Sequence, residues 1–427
     1  MKNTIIKMFN LEPTAIRHAE LITEGNETFV LFTLSKRVHT CPVCGKSTSQ
    51  IHDYRERVIN HAVLNGVYTT IVFNQRRYYC SDCNKRFPEH NPFAMHGRRI
   101  SKYTVLRVME MLRDPRVTFS YAAKDVGISV SSAIRIFDDH AAVTPMALPE
   151  AICIDEVYAV KYTQRTYACV LTDFKSCQVY DVLPDRKKYT LANYFSAIDR
   201  SSREKVRYVC SDMWDTYREL AEVYFPNAKV CVDSFHVVKL INYVFNKVRI
   251  RTMNQYDRKS EEYRLLKRYA WVLNRASYKL DQENYMDLRR YYSTLGTRYI
   301  RQHILVSQLL AGDPELEIAY MLKEDYLTLN QEATPDNISR WLDRYIADLK
   351  LFNIKEFRSV RNTLIKWHDE IVNSFDEYDG RRLSNGPAES ANSRIKLIKT
   401  TGNGYRNFER FKLRVMYSLN DGSSIKF

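Results

Sequence analysis

Two Cys-x-x-Cys pairs, Cys41-Pro42-Val43-Cys44 and Cys80-Ser81-Asp82-Cys83, bound what the first hundred residues of this chain can become. A C-x-x-C turn sets two thiolates on one edge of a tetrahedron, and two such turns close a four-sulfur site with no open position. The chain between the pairs must therefore return the second turn to the side of the first. Residues 60–79, with Val67-Tyr68-Thr69-Thr70-Ile71-Val72-Phe73 among them, predict strands that do so. Gly45 gives the first turn its conformational freedom. The spacing predicts a zinc ribbon with a structural zinc ion on Cys41, Cys44, Cys80 and Cys83. A pair of redox motifs or disulfides is the rival reading, and an odd total of nine cysteines in a cytoplasmic setting argues against it. The other five, Cys153, Cys169, Cys177, Cys210 and Cys231, lie in strand-like segments without ligand spacing and are expected to act as small core hydrophobes.

From Ile100 the apolar period becomes helical, with Val105, Leu106, Met109 and Leu112 recurring until Asp114-Pro115 interrupts it. Downstream, Ala123 lets two helices approach closely, Gly127 makes a turn four residues later, and Ser129 can cap a second helix. The pattern predicts a helix-turn-helix whose second helix offers Ser131, Ser132 and Arg135 to base edges or phosphates in a major groove. Charge points the same way. The 65 Lys and Arg against 50 Asp and Glu leave +15, so a polyanion is the expected partner, ahead of membrane surfaces and acidic proteins. With 45% hydrophobic and 27% charged residues, and only 12 Gly and 12 Pro, a collagenous or disordered chain is excluded. The length of 427 residues accommodates two or three domains. No apolar run approaches the roughly 18–20 residues of a membrane span, and the start Met1-Lys2-Asn3-Thr4-Ile5-Ile6-Lys7 lacks a leader's apolar segment. A soluble cytoplasmic protein with no membrane partner is expected.

After a linker at residues 145–149, strands alternate with helices. Ala151-Ile152-Cys153-Ile154-Asp155 reads as a buried strand ending in Asp155-Glu156, followed by strands at 167–172 and 178–183, a helix at 190–198, a strand at 206–212, a helix near 214–224 and a strand at 229–233. Three strands, helix, strand, helix, strand is the order of a ribonuclease-H-like core. Asp155 and Asp212 are expected at strand ends, the edge where such folds carry their chemistry. Two carboxylates there repel one another unless a cation neutralises them, and magnesium suits an all-oxygen site. A pair of such ions can stabilise both the attacking and the leaving oxygen of an in-line phosphoryl displacement. A third carboxylate comes from Ser384-Asn385-Gly386-Pro387-Ala388-Glu389, where Pro387 suits the first turn of a helix and Glu389 falls within that turn. Lys396 stands two turns further along the same face, placed to hold a DNA phosphate. Asp233, in Asp233-Ser234-Phe235-His236, is expected to cap a helix starting near His236, itself a structural or DNA-contacting neighbour, with a direct metal role for Asp233 as the alternative.

These stretches resemble the ISL-three family of bacterial insertion-sequence transposases, a group of DDE transposases. The resemblance rests on Ile154-Asp155-Glu156-Val157, Asp212-Met213-Trp214 with Tyr217, Pro226-Asn227-Ala228, Asp233-Ser234-Phe235-His236-Val237-Val238-Lys239, Ser384-Asn385-Gly386-Pro387-Ala388-Glu389, Ile395-Lys396 and Gly404-Tyr405-Arg406-Asn407-Phe408. With the ribbon and the paired helices it covers nearly the whole chain in order. It implies catalytic Asp155, Asp212 and Glu389 holding two magnesium or manganese ions, with Lys396 as the basic residue that often follows the glutamate. The expected domains are an N-terminal region with the zinc ribbon at 1–95 and a helix-turn-helix DNA-binding domain at 96–145. A ribonuclease-H-like core then occupies 150–240 and 381–427, interrupted by an all-helical insertion at 241–380.

The expected function is a transposase, nucleoid-associated in a bacterial cytoplasm, that binds the terminal inverted repeats of its element on double-stranded DNA. It would cleave there and join the freed 3′-hydroxyl to target DNA. Two ends must be brought together, so a homo-oligomer, most simply a dimer, is expected on DNA. The alternatives are a non-catalytic DNA-binding regulator or domesticated descendant, and a nuclease that never joins strands.

Overall fold

The computed structural model describes residues 2–9, 11–64, 67–95, 98–158 and 167–427. They form two compact units. The residues up to Pro145 and from Ser393 onward make the first, and those from Met146 to Asn392 the second.

The first unit begins with α1 (Lys2–Met8) and the hairpin β1 (Ile16–Glu24) and β2 (Glu27–Leu34). Strands β3 (His39–Thr40) and β4 (Ser47–Thr48) pair across the first cysteine turn, and β5 (Ile51–Leu64), β6 (Val67–Tyr79) and β7 (Arg86–Pro88) lead to and beyond the second. The sheet runs β1-β2-β6-β5 with β7 on β6. Strand alternation turns Val30, Phe32, Ile71 and Phe73 onto one apolar core with Ile5 and Ile6 of α1.

Three helices follow: α2 (Lys102–Met111), α3 (Phe119–Asp125) and α4 (Val130–His140). Ser101, Thr118 and Ser129 cap them in turn, each side chain accepting from the N–H three residues on. Val108, Met109, Ala122, Ala123, Ala133 and Phe137 close their core. Gly127 sits between α3 and α4 at φ +66, and a Cβ there would lie 2.4 Å from the Tyr68 ring, so both the backbone and the space demand glycine. Strand β8 (Ala141–Val143) ends this stretch.

In the second unit come β9 (Ala151–Tyr158), β10 (Tyr167–Asp173), β11 (Val179–Leu183), α5 (Lys188–Ala197), α6 (Arg200–Arg203), β12 (Tyr208–Ser211), α7 (Asp215–Tyr224) and β13 (Lys229–Val232). The sheet order is β11-β10-β9-β12-β13. The first three strands are antiparallel, while β12 runs parallel to both β9 and β13. One face packs Ile152, Ile154, Leu171 and Val209 against Leu191, Phe195 and Leu220 of α5 and α7. The opposite face carries Ala151, Cys153, Cys210 and Cys231 against Leu383 and Ala388.

The chain then builds a second core from α8 (Ser234–Met253), α9 (Glu261–Arg268), α10 (Ala270–Asn274), β14 (Met286–Tyr292), β15 (Thr297–Ile300), α11 (Gln302–Leu310), α12 (Pro314–Glu332), α13 (Ile338–Phe352), α14 (Phe357–Lys366) and α15 (His368–Asn373). Two expectations are corrected here. The insertion is not all-helical: β14 and β15 pair antiparallel, because Leu288 and Tyr292 turn inward while Tyr291 and Tyr299 face solvent. Its start at 241 also falls inside α8, a single helix from Ser234.

Short strands β16 (Glu377–Tyr378) and β17 (Arg381–Arg382) precede α16 (Gly386–Thr401), α17 (Phe408–Leu419) and β18 (Ser423–Ile425). By compactness, the residues from Ser393 group with the first unit. There β18 pairs antiparallel with β8, and Tyr417 donates to the Met109 carbonyl at 3.2 Å. Arg414, 1% exposed, gives its guanidinium to the carbonyls of Leu112, Asp114 and Val117. Among the described residues no helix is long and apolar enough to cross a membrane.

Candidate active site and nucleic-acid interface

Both cysteine turns are built alike. The Cys41 N–H donates to the Lys46 carbonyl and the Cys80 N–H to that of Lys85. The residue after each second cysteine, Gly45 or Asn84, takes positive φ. Cys41 Sγ lies 3.5 Å from Cys83 Sγ, Cys44 Sγ lies 3.5 Å from Cys80 Sγ, and all four sulfurs fall within 4.8 Å of one another. Sulfurs about 2.3 Å from a tetrahedral zinc stand about 3.8 Å apart, so the donor set fits zinc. All four cysteines are free thiols. Of the other five, four are buried as expected, but Cys177 is exposed at φ +57 in the turn between β10 and β11. The turn overrides the strand-like local pattern.

Helix α4 exposes Ser131 and Arg135, with Ser132 partly covered. Its cap residue Ser129 holds the hydroxyls of Ser131 and Ser132 at 3.0 and 2.9 Å. A cleft of about 350 Å³ gathers Arg98, Arg99, Ser132 and Arg135 on one side of this helix. Arg98 is paired with Asp139 at 3.0 Å. The Arg76-Arg77 dipeptide looks equally basic in sequence, yet Arg76 is buried against Glu89 and Arg77 is held by Asp53. Neither presents a free charge.

The acidic site lies in the second unit. Asp155 was expected at a strand end, but β9 continues to Tyr158 because its pairing with β10 persists through Tyr167. The pairing of β9 with β12, by contrast, stops at Cys153. Asp155 therefore stands just past the point where β12 ends, and Asp212 follows β12 directly. Alternation sends Asp155 and Glu156 to opposite faces. Glu156 is claimed on its face by Arg186 at 2.6 Å and by the Tyr217 hydroxyl at 3.2 Å. The Arg186 guanidinium in turn lies over Trp214, 5.0 Å from its ring centroid, and Trp214 packs edge-on against Tyr217. Trp214 and Tyr217 thus fix the Glu156–Arg186 pair.

Asp155 is reached from α16. Asn385, fully buried, donates to the Ile154 carbonyl at 3.0 Å, and Asn392 donates to Asp155 Oδ2 at 2.8 Å and to the Glu156 carbonyl at 3.1 Å. Positions 385, 389 and 392 share one helical face. Glu389 is therefore held between two asparagine clamps on β9, and it stays more open to solvent than either aspartate. Sequence reasoning missed both asparagines, although their four- and three-residue offsets from Glu389 were a usable signal.

Burial, then the charge of Glu156, pushes Asp212 up to about 6. Asp155 is raised chiefly by burial, against the donated N–H of Glu156 and the Asn392 amide. Glu389 is raised by burial and then by Asp233. The Asp155 charge raises both Asp212 and Glu389, so Asp155 is an electrostatic neighbour of each. Asp212 Oδ1 is buried with no hydrogen-bond partner among the described residues. A different trio also comes together: ligand atoms of Asp233, His236 and Glu389 all lie within 4.8 Å of one another. Asp233 also caps α8, accepting from the Phe235 N–H at 3.1 Å. Lys396 is exposed on α16, seven residues after Glu389.

A transposase family model of the DDE, ISL3 type matches residues 152–415, and a model for the zinc finger of the transposases of IS204, IS1001, IS1096 and IS1165 matches residues 37–83. The chain is 21% identical to the transposase for insertion sequence element IS1001 of Bordetella parapertussis, over 92% of this chain and 91% of that protein. It is 24% identical to the transposase for insertion sequence element IS1557 of Mycobacterium tuberculosis, over 63% and 60% of the two chains. A shorter match, 31% identical over 32% of this chain and 40% of the relative, is to a Lactococcus lactis protein named an ATP-dependent protease.

Proposed function

Because the chain belongs to the ISL3 family of insertion-sequence transposases, we propose that it binds the terminal inverted repeats of its own element and catalyses DNA cleavage and strand transfer there. The observation that supports this reading is that the charge of Asp155, on a strand, raises both Asp212, just past a strand end, and Glu389, on a helix. They would hold two magnesium or manganese ions, which when bound neutralise developing charge and act as Lewis acids in in-line displacement at phosphorus. The unsatisfied buried oxygen of Asp212 fits such an occupant. Asn392 orients Asp155, and Arg186 with Tyr217 keeps Glu156 out of the site. No serine or tyrosine nucleophile is required.

In the same reading the sheet order of the second unit is a ribonuclease-H-like core, supported by three antiparallel strands followed by two parallel ones. Residues 1–95 are the zinc-ribbon region, and α3 and α4 are the helix-turn-helix of a 96–145 domain. Ser131, Ser132 and Arg135 face the DNA, with Arg99 beside them and Lys396 on a phosphate near the scissile bond. Two DNA ends imply a homo-oligomer, most simply a dimer, on DNA.

The test is cleavage of a duplex carrying the element's end in magnesium or manganese. Asp155→Ala should cut at least about a thousandfold more slowly while binding the duplex as tightly as wild type. Equal cutting by Asp155→Ala would sink the metal mechanism, and binding without cutting by wild type would favour a non-catalytic regulator.

A further inference from the structure

Asp233, His236 and Glu389 come from separate parts of the second unit. The first two open α8 and the third lies in the first turn of α16, yet one ligand atom from each falls within 4.8 Å of the others. The proposed carboxylate trio does not account for this grouping, because Asp233 and His236 are outside it. Asp233 is 3% exposed, and its Oδ1 accepts the α8 cap hydrogen bond from the Phe235 N–H. His236 is partly covered and interacts electrostatically with Asp155, Asp212 and Glu389 alike. Two carboxylates and an imidazole at this separation form a mixed oxygen and nitrogen donor set. A purely oxygen set suits magnesium, whereas an imidazole suits transition ions.

We propose that His236, with Asp233 and Glu389, is a direct ligand to a divalent transition ion, so that the ion on the Glu389 side of the site is held by nitrogen as well as oxygen and manganese is taken in preference to magnesium. The proposal rests on the reading of Glu389 as a metal-binding carboxylate and adds two ligands to it. It makes the two cation positions chemically unequal. The position served by Asp155 and Asp212 alone stays all-oxygen.

The full-length protein with its ribbon zinc in place is titrated with Mn²⁺ alone, and the bound ion is followed by electron paramagnetic resonance, with echo-envelope modulation reading coordinated nitrogen. The ribbon's four thiolates supply no nitrogen, so it cannot give this signal. Wild type should bind Mn²⁺ with imidazole nitrogen coupling and at least about tenfold more tightly than Mg²⁺ at that site. His236→Ala should abolish the nitrogen coupling and weaken Mn²⁺ about tenfold or more. Glu389→Gln, at a more open position, should weaken the same ion and serves if His236→Ala does not fold. Asp212→Asn should lose DNA cleavage but keep the nitrogen-coupled ion. Absence of nitrogen coupling in wild type, or coupling unchanged in His236→Ala, overturns the proposal. A nitrogen-coupled ion in a wild type that never cuts DNA leaves the proposal standing and removes the proposed function instead.

Discussion

Asp212 is a carboxyl in electrostatic conflict, raised by burial and by the charge of Glu156. Its folded-state pKa of about 6 lies above the ordinary carboxylate value, so the folded chain takes up its proton more readily than the unfolded one. The stability from that proton is fully present below about pH 4 and lost as pH rises through 6. Allowing for its partial exposure, the loss is about 1–2 kcal/mol. Asp212→Asn should therefore raise stability at pH 7.5 without added divalent ion by about that amount and flatten the profile between pH 4 and 7, as read by urea unfolding. The same variant should lose cleavage. At Asn392 the expected change has the opposite sign. Asn392→Ala removes the amide that donates to Asp155 and to the Glu156 carbonyl, costing about 1–2 kcal/mol of stability and at least about tenfold in cleavage rate. Asp155 was singled out in sequence because it ends an apolar run, and Glu389 because it follows Pro387 in the first turn of a predicted helix. Asn385 and Asn392 were not, since an asparagine announces a partner only when the strand that accepts from it is in view.

Among the elements, the α3–α4 pair was the most readable, down to its turn and cap. Ser129→Ala should cost about 1 kcal/mol of first-unit stability. Gly127→Ala should cost about 1–3 kcal/mol, from the φ of +66 together with the Tyr68 ring, and adding Tyr68→Ala should recover only the steric part. A thermal melt of the single and double variants separates the two terms. The last elements were the least readable. Neither β18 nor the burial of Arg414 follows from local pattern, because an arginine reads as surface until three backbone carbonyls are brought to it. Truncation after Leu419 removes β18 and the reciprocal contacts of His140 with Lys426. It should lower the first unit's melting temperature by several degrees.

For the whole molecule the net charge of +15 sets the expected salt response. About six phosphate contacts give a slope near −5 in log affinity against log salt on end DNA, and Arg135→Ala should reduce that slope by about one. Removing zinc should release amide protection across Cys41–Phe87 and abolish end binding, with protection in β9 to β13 retained, as hydrogen exchange resolves. The sequence by itself determined the ribbon, the capped helices, and the order of strands and helices in the sheet. Each of these is written in short-range spacing: a two-residue gap between thiols, a cap before an apolar period, runs of alternating character. Tertiary structure alone decided which basic residues are paired, that the tail returns to the first unit, and that Glu389 meets Asp233 and His236. Those outcomes depend on groups far apart in the chain arriving at one place, and charge and hydrogen-bond capacity carry no record in sequence of which distant partner will use them.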